Sequence, residues 1–106
     1  MITVCFSKRN HFRVNNSKKV RGHPTYIYKK VGDKYHFIGI THSEITHRTK
    51  NIKLDKNPNP EDPRDSYLRP FSSEEEVSKF GVKKRGWKLS KTDKKKIKTI
   101  KKNHKQ

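Results

Sequence analysis

The sequence predicts a mainly β fold of the α+β class: a small β barrel or bent antiparallel sheet, carrying one short helix and a basic C-terminal helix. Three observations point there. Ile and Val total 14 against 3 Leu, a balance that suits a pleated, half-buried surface better than a helical bundle. Two β-branched and aromatic runs between residues 24 and 42 are separated by Gly32-Asp33, the pattern of a tight hairpin. Helical spacing of apolar residues is confined to the C-terminal part, at Val77/Phe80 and Ile97/Ile100.

Taken in order, Ile2, Val4 and Phe6 alternate and predict a first strand, or a basic arm, within residues 1–20. Asn15-Asn16-Ser17 reads as a turn. In the hairpin, Tyr26, Tyr28 and Lys30 fall on one face and Ile27 and Lys29 on the other; Phe37 and Gly39 oppose Ile38 and Ile40. Both faces carry apolar groups, so both need cover. Asn51–Leu54 predicts a short strand, and Pro58, Pro60 and Pro63 make residues 55–66 an irregular loop. Ser66–Arg69 predicts a strand ended by Pro70. Ser73 ahead of Glu74, Glu75 and Glu76 predicts a short helix, with a serine cap and carboxylates at the positive end of the dipole; Gly81 would end it. Ser90-Lys91-Thr92-Asp93 resembles a capping box and opens a helix over about 91–102. Lysine pairs along it, such as Lys94/Lys98, each cost about 0.2–0.5 kcal/mol. The helix therefore needs Ile97 and Ile100 docked on the body, or a bound anion. The organisation expected is a basic strand or arm over 1–20, one small domain over 21–102, and a frayed tail over 103–106.

Charge narrows the function. The 106 residues hold 28 Lys and Arg against 10 Asp and Glu, a net +18, and only 27% are apolar. This excludes a large enzyme, a multidomain machine and a transmembrane span of roughly 20 apolar residues. A charge so far from zero repels itself, and a polyanion is the partner that offsets the repulsion. Residues 1–50 carry net +9, residues 51–80 net −2 and residues 81–106 net +11. Lys outnumbers Arg by 21 to 7, which favours diffuse attraction to phosphate over bidentate readout. Lys29, Lys30, Lys83, Lys84, Arg85, Lys94, Lys95 and Lys98 are the expected nucleic-acid contacts, on RNA or DNA, with Tyr and Trp side chains as stacking platforms. The final helix has too thin an apolar face to enter a membrane surface. Cys5 is the one cysteine, so neither an intrachain disulfide nor a Cys-based metal site can form. A reducing, cytoplasmic location fits that usage. The six His lack metal-ligand spacing, and no cofactor or metal is expected.

Arg21-Gly22-His23-Pro24 opens the first hairpin strand and Thr41-His42-Ser43 closes the second. An antiparallel hairpin brings these ends together, so Arg21, His23, Thr41, His42 and Ser43 are expected to cluster. Such a cluster suits metal-independent RNA cleavage. That reaction needs a base for the 2′-hydroxyl, an acid for the leaving 5′-oxygen, and donors to the phosphoryl oxygens.

The same residues carry a resemblance. His23-Pro24-Thr25-Tyr26-Ile27-Tyr28 and Ile38-Gly39-Ile40-Thr41-His42-Ser43 resemble two motifs of the PemK/MazF family of toxin endoribonucleases: a basic residue and Pro opening a strand, and a later strand ending in Ile-Thr and a small polar residue. The pattern extends over residues 20–100. The resemblance implies a PemK-like β barrel, toxin-type cleavage of single-stranded RNA, a homodimer and an acidic antitoxin-like partner. By position Thr41 falls on the family's catalytic threonine, and His23 stands where the family has its Arg. Arg21 would then supply the charge, or His23 would take an acid/base role. Tyr26-Ile27-Tyr28 and Phe37-Ile38-Gly39 also resemble the strand signatures of GIY-YIG nucleases, with Arg48 as the arginine. The remaining reading is a non-catalytic RNA- or DNA-binding module of a phage or mobile element.

Overall fold

A computed structural model describes residues 10–18 and 21–104; the strand expected at Ile2, Val4 and Phe6 lies outside the described residues. The strands are β1 (His11–Asn15), β2 (His23–Val31), β3 (Lys34–Thr41), β4 (Ile45–Thr46), β5 (Thr49–Lys50), β6 (Ile52–Lys53) and β7 (Tyr67–Glu76), and the helix is α1 (Lys91–Ile100). Five of them form one antiparallel sheet in the order β1-β2-β3-β7-β6, while β4 and β5 form a separate hairpin.

The mainly β class stands, but among the described residues the sheet is open and does not close into a barrel. Its edges are shielded by other chain instead of by each other. Along β1, Gly81 N–H donates to the Val14 carbonyl at 2.9 Å and Lys84 N–H to that of Phe12 at 2.8 Å. At the other side β6 pairs only with Tyr67 and Leu68 of β7. Farther along β7, the segment after α1 takes over: Ser72 N–H donates to the Asn103 carbonyl at 2.7 Å.

The central hairpin forms where its pattern puts it. Gly32 sits at φ +60° in a two-residue turn, the first central position of a type II′ turn, which favours glycine. The register slips between Ile27 and Lys29. Tyr28 is thus a bulge residue, and strict alternation of faces stops at Ile27.

Residues 66–81 depart most from expectation. The strand does not end at Pro70 and no helix starts at Ser73; β7 runs on to Glu76, and only Val77–Lys79 form a 3-10 turn. Pro70 is tolerated because the ladder slips there. Ile40 pairs with Leu68 and Ile38 with Ser72, leaving Arg69, Pro70 and Phe71 opposite Gly39 in a bulge where the missing N–H costs no ladder bond. Of the three glutamates, Glu74 finds cations across the strand pair instead of a helix dipole. Glu74 pairs with His36 in register, and its carboxylate lies 3.6 Å from His36 Nε2 and 3.8 Å from Lys34 Nζ.

One face of the sheet packs Tyr26, Ile38, Ile40 and Leu68 against Ile97 and Ile100 of α1. The docking that the lysine-rich helix needs is therefore present. Ser90 caps α1, its Oγ accepting from Asp93 N–H at 3.1 Å. Asp93 does not complete a capping box. Fully buried, its carboxylate accepts from Asp55 N–H at 3.0 and 3.1 Å and from Lys96 Nζ at 2.9 Å, pinning the proline loop to the helix. The opposite face holds a smaller cluster of Ile27, Tyr35 and Phe37 with Val77 and Phe80. Beyond it, toward the His23 end, that face is open. Among the described residues no helix is long and apolar enough to cross a membrane.

The His36 environment sets a pH dependence. Burial holds its imidazole below the ordinary value of 6.5; Glu74 opposes the shift, while Lys29, His104 and Lys34 add to it. The folded state thus prefers neutral His36. Its contribution is complete above 6.5 and is lost as pH falls through the lower folded value. The thermal midpoint is expected to fall on acidification below about 6.5, and His36→Gln to flatten that limb. An unchanged limb in the variant would place the titration elsewhere.

Candidate active-site cleft and basic groove

On the open face, β2, β3, β7 and the β4–β5 hairpin enclose a cleft of about 390 Å³ lined by His23, Thr41, His47 and Arg69. Thr25, Gly39 and Phe71 form its floor and wall. No carboxylate lines it among the described residues.

Each polar side chain is held there for a local reason. His23 opens β2 and Thr41 closes β3, as the antiparallel pairing requires. Thr41 Oγ accepts from Ser43 N–H at 3.3 Å, which leaves the hydroxyl proton free to be donated. Arg69 lies in the β7 bulge, and its stem crosses Gly39 so closely that a Cβ there would meet Arg69 Cγ at 3.1 Å. Its guanidinium stacks 4.8 Å from the Phe71 ring centroid and donates to Asn51 Oδ1 at 2.6 Å. Asn51 is buried, and its amide also donates to the Ser43 carbonyl at 2.9 Å and to Thr46 Oγ at 2.8 Å. One side chain thereby locks Arg69 to the β4–β5 hairpin. Burial lowers the Arg69 pKa from its ordinary value, yet guanidinium stays charged. It forms no ion pair among the described residues.

His47 reaches the cleft through an unusual turn. His47 and Arg48 have φ +48° and +66°, the left-handed region that type I′ turns require and that Asn-Gly normally fills. Neither is glycine, so the turn holds strain, and such strain gathers at functional sites.

Of the residues expected to cluster, His23 and Thr41 meet in this cleft. His42 turns away to the proline loop, with Nδ1 2.9 Å from the Asp65 carbonyl and Nε2 3.5 Å from Asp62 Oδ2. Ser43 contributes backbone alone, and Arg21 is exposed in the turn before β2, outside the cleft lining. Arg48 sits at the exposed hairpin tip and not on a helix. Sequence reasoning does not find His47 or Arg69. The available signals were two β-branched residues flanking His47-Arg48, and a lone Arg beside a strand proline.

On the helix-packed face a second depression of about 540 Å³ runs between Trp87 and α1. Lys83, Lys94 and Lys98 line it, joined by Lys88 and Lys101. Lys84, Arg85 and Lys95 lie outside its lining, and Lys29 and Lys30 line a smaller surface depression beside β1.

Comparison of the chain with family models, with curated proteins and with solved structures gave no match.

Proposed function

We propose that this protein binds single-stranded RNA and cleaves it in the open-face cleft without a metal, as a PemK/MazF-like endoribonuclease. The observation that carries this reading is Arg69: a half-buried guanidinium with no carboxylate partner among the described residues, facing a cleft shared with two imidazoles. An uncompensated, partly desolvated cation of this kind calls for an anion, and a phosphodiester fits the charge. Arg69 would then supply the charge absent at His23, where the family resemblance expects Arg.

The chemistry divides among four groups. One imidazole, of His23 or His47, accepts the proton of the 2′-hydroxyl as its oxygen attacks phosphorus. The other imidazole protonates the departing 5′-oxygen. The P–O5′ bond breaks, leaving a 2′,3′-cyclic phosphate and a 5′-hydroxyl. Arg69 and the Thr41 hydroxyl donate to the non-bridging oxygens, where charge develops. Imidazole suits both roles because it ordinarily titrates near neutral pH.

The test is cleavage of single-stranded RNA and matched DNA in EDTA. RNA alone should be cut. His23→Ala and His47→Ala should each lower the rate by about 10²–10⁴-fold, and Arg69→Gln by about 10²–10³-fold. Salt-dependent RNA binding with no cleavage would overturn the enzymatic reading and leave a binding module. Cleavage that survives both histidine changes would move the chemistry out of this cleft.

A further inference from the structure

We propose that the groove between Trp87 and α1 binds a run of unpaired nucleotides, as a site separate from the open-face cleft. The two lie on opposite faces of the sheet: Tyr26 of the groove packs with Ile97, whereas Thr25 of the cleft pairs with Gly39 on the other side. The groove therefore extends the function beyond the cleavage reading and does not depend on it.

Charge comes first. Lys83, Lys88, Lys94, Lys98 and Lys101 line the groove, and among the described residues no carboxylate does. None of the five forms an ion pair among the described residues. The single acidic residue after position 80, Asp93, is buried and already bonded to Lys96. Lys94, Lys98 and Lys101 repeat at i, i+4 and i+7 on one face of α1 and its C-terminal cap, a row advancing by about 6 and then about 4.5 Å. Their mutual repulsion is what a bound polyanion would relieve.

The floor is aromatic. Trp87 rests on Phe12 with ring centroids 5.7 Å apart, and Phe12 on Tyr26 at 5.1 Å. Trp87 is only half-buried, so a supported indole remains available to a flat ligand. Cations beside an aromatic platform are the common device for single strands, since every base has a π-face once it is unpaired. An acidic peptide fits less well. Among the described residues β1 offers a peptide no open edge at Phe12 and Val14, because Lys84 and Gly81 already occupy those carbonyls. The cations are point-like ammonium groups and not the forks that pair carboxylates.

Trp87 is the one tryptophan of the chain, so its fluorescence reports on the site directly. Titration with single-stranded oligothymidylate, which lacks the 2′-hydroxyl and survives the cleft, is expected to quench it saturably. Polyglutamate should not. Lys94→Glu with Lys98→Glu should weaken binding at least ~10-fold and reduce the salt slope by about 1.4. Lys91→Glu with Lys95→Glu removes the same charge from the same helix outside the groove, and should cost much less. His23→Ala with His47→Ala should leave quenching and affinity unchanged, which separates failure of this site from failure of the cleft. Equal losses in the two lysine pairs, no quenching by the oligonucleotide, or equal quenching by polyglutamate would each overturn the proposal.

Discussion

Asp93→Ala is expected to lower the thermal midpoint by about 15 °C, the largest stability loss of any single polar substitution in the molecule. The carboxylate is fully buried and serves three partners at once: the Asp55 and Lys56 amides at 3.0 to 3.4 Å and Lys96 Nζ at 2.9 Å. Truncation leaves the part-buried Asp55 and Lys56 amides without this acceptor and strips the Lys96 ammonium of its nearer carboxylate, with Asp55 Oδ1 remaining at 3.3 Å. Such losses amount to about 3 kcal/mol, and a domain of this size shifts by about 4–8 °C per kcal/mol. Asp93→Asn keeps one acceptor oxygen and should lose less. A midpoint for Asp93→Ala equal to wild type, read by circular dichroism, would mean that the proline loop is held by something other than this carboxylate.

Asp93 also marks where the sequence was readable and where it was not. The Ser90 cap and the Ile97/Ile100 stripe are local signals, and α1 appears within two residues of its expected end. The hairpin is equally local, because Gly32 and the flanking β-branched runs encode it within one segment. Asp93's bond to Asp55 is not local, and nothing in the spacing of residues 55 and 93 announces it. Residues 73–76 mislead for a related reason. A serine followed by three glutamates satisfies helix-start chemistry, yet Lys34 and His36 meet the first of those carboxylates, Glu74, across a strand pair, and only the tertiary pairing decides between them. Pro70 misleads because the rule that proline ends a strand has its exception at bulges, and the bulge depends on Gly39 in another strand. The cleft divides the same way. His23 and Thr41 are brought together by hairpin geometry and were legible. Arg69 and His47 arrive from β7 and from a strained turn, Asn51 tying Arg69 to Thr46 beside that turn, and no local pattern places them.

The strained turn supplies the sharpest separation of function from stability. Replacing His47-Arg48 by Asn-Gly is expected to raise the thermal midpoint by about 5–10 °C and, on the proposed function, to lower RNA cleavage by about 10²–10⁴-fold. The stability gain follows from the backbone. Left-handed conformation costs an ordinary residue about 1–2 kcal/mol, both turn residues adopt it, and Asn-Gly fits a type I′ turn with least strain. The activity loss follows from the side chain, since His47 lines the cleft with His23 and Arg69. Arg48→Gly alone should gain part of the stability and keep the cleavage, because it relieves the backbone without removing the imidazole. If the double variant gained stability and still cleaved at the wild-type rate, His47 would be an accident of the turn. If it lost cleavage without gaining stability, the positive φ angles would store no strain. The expected combination, a tighter fold that has lost its chemistry, is what a strained residue kept for function produces.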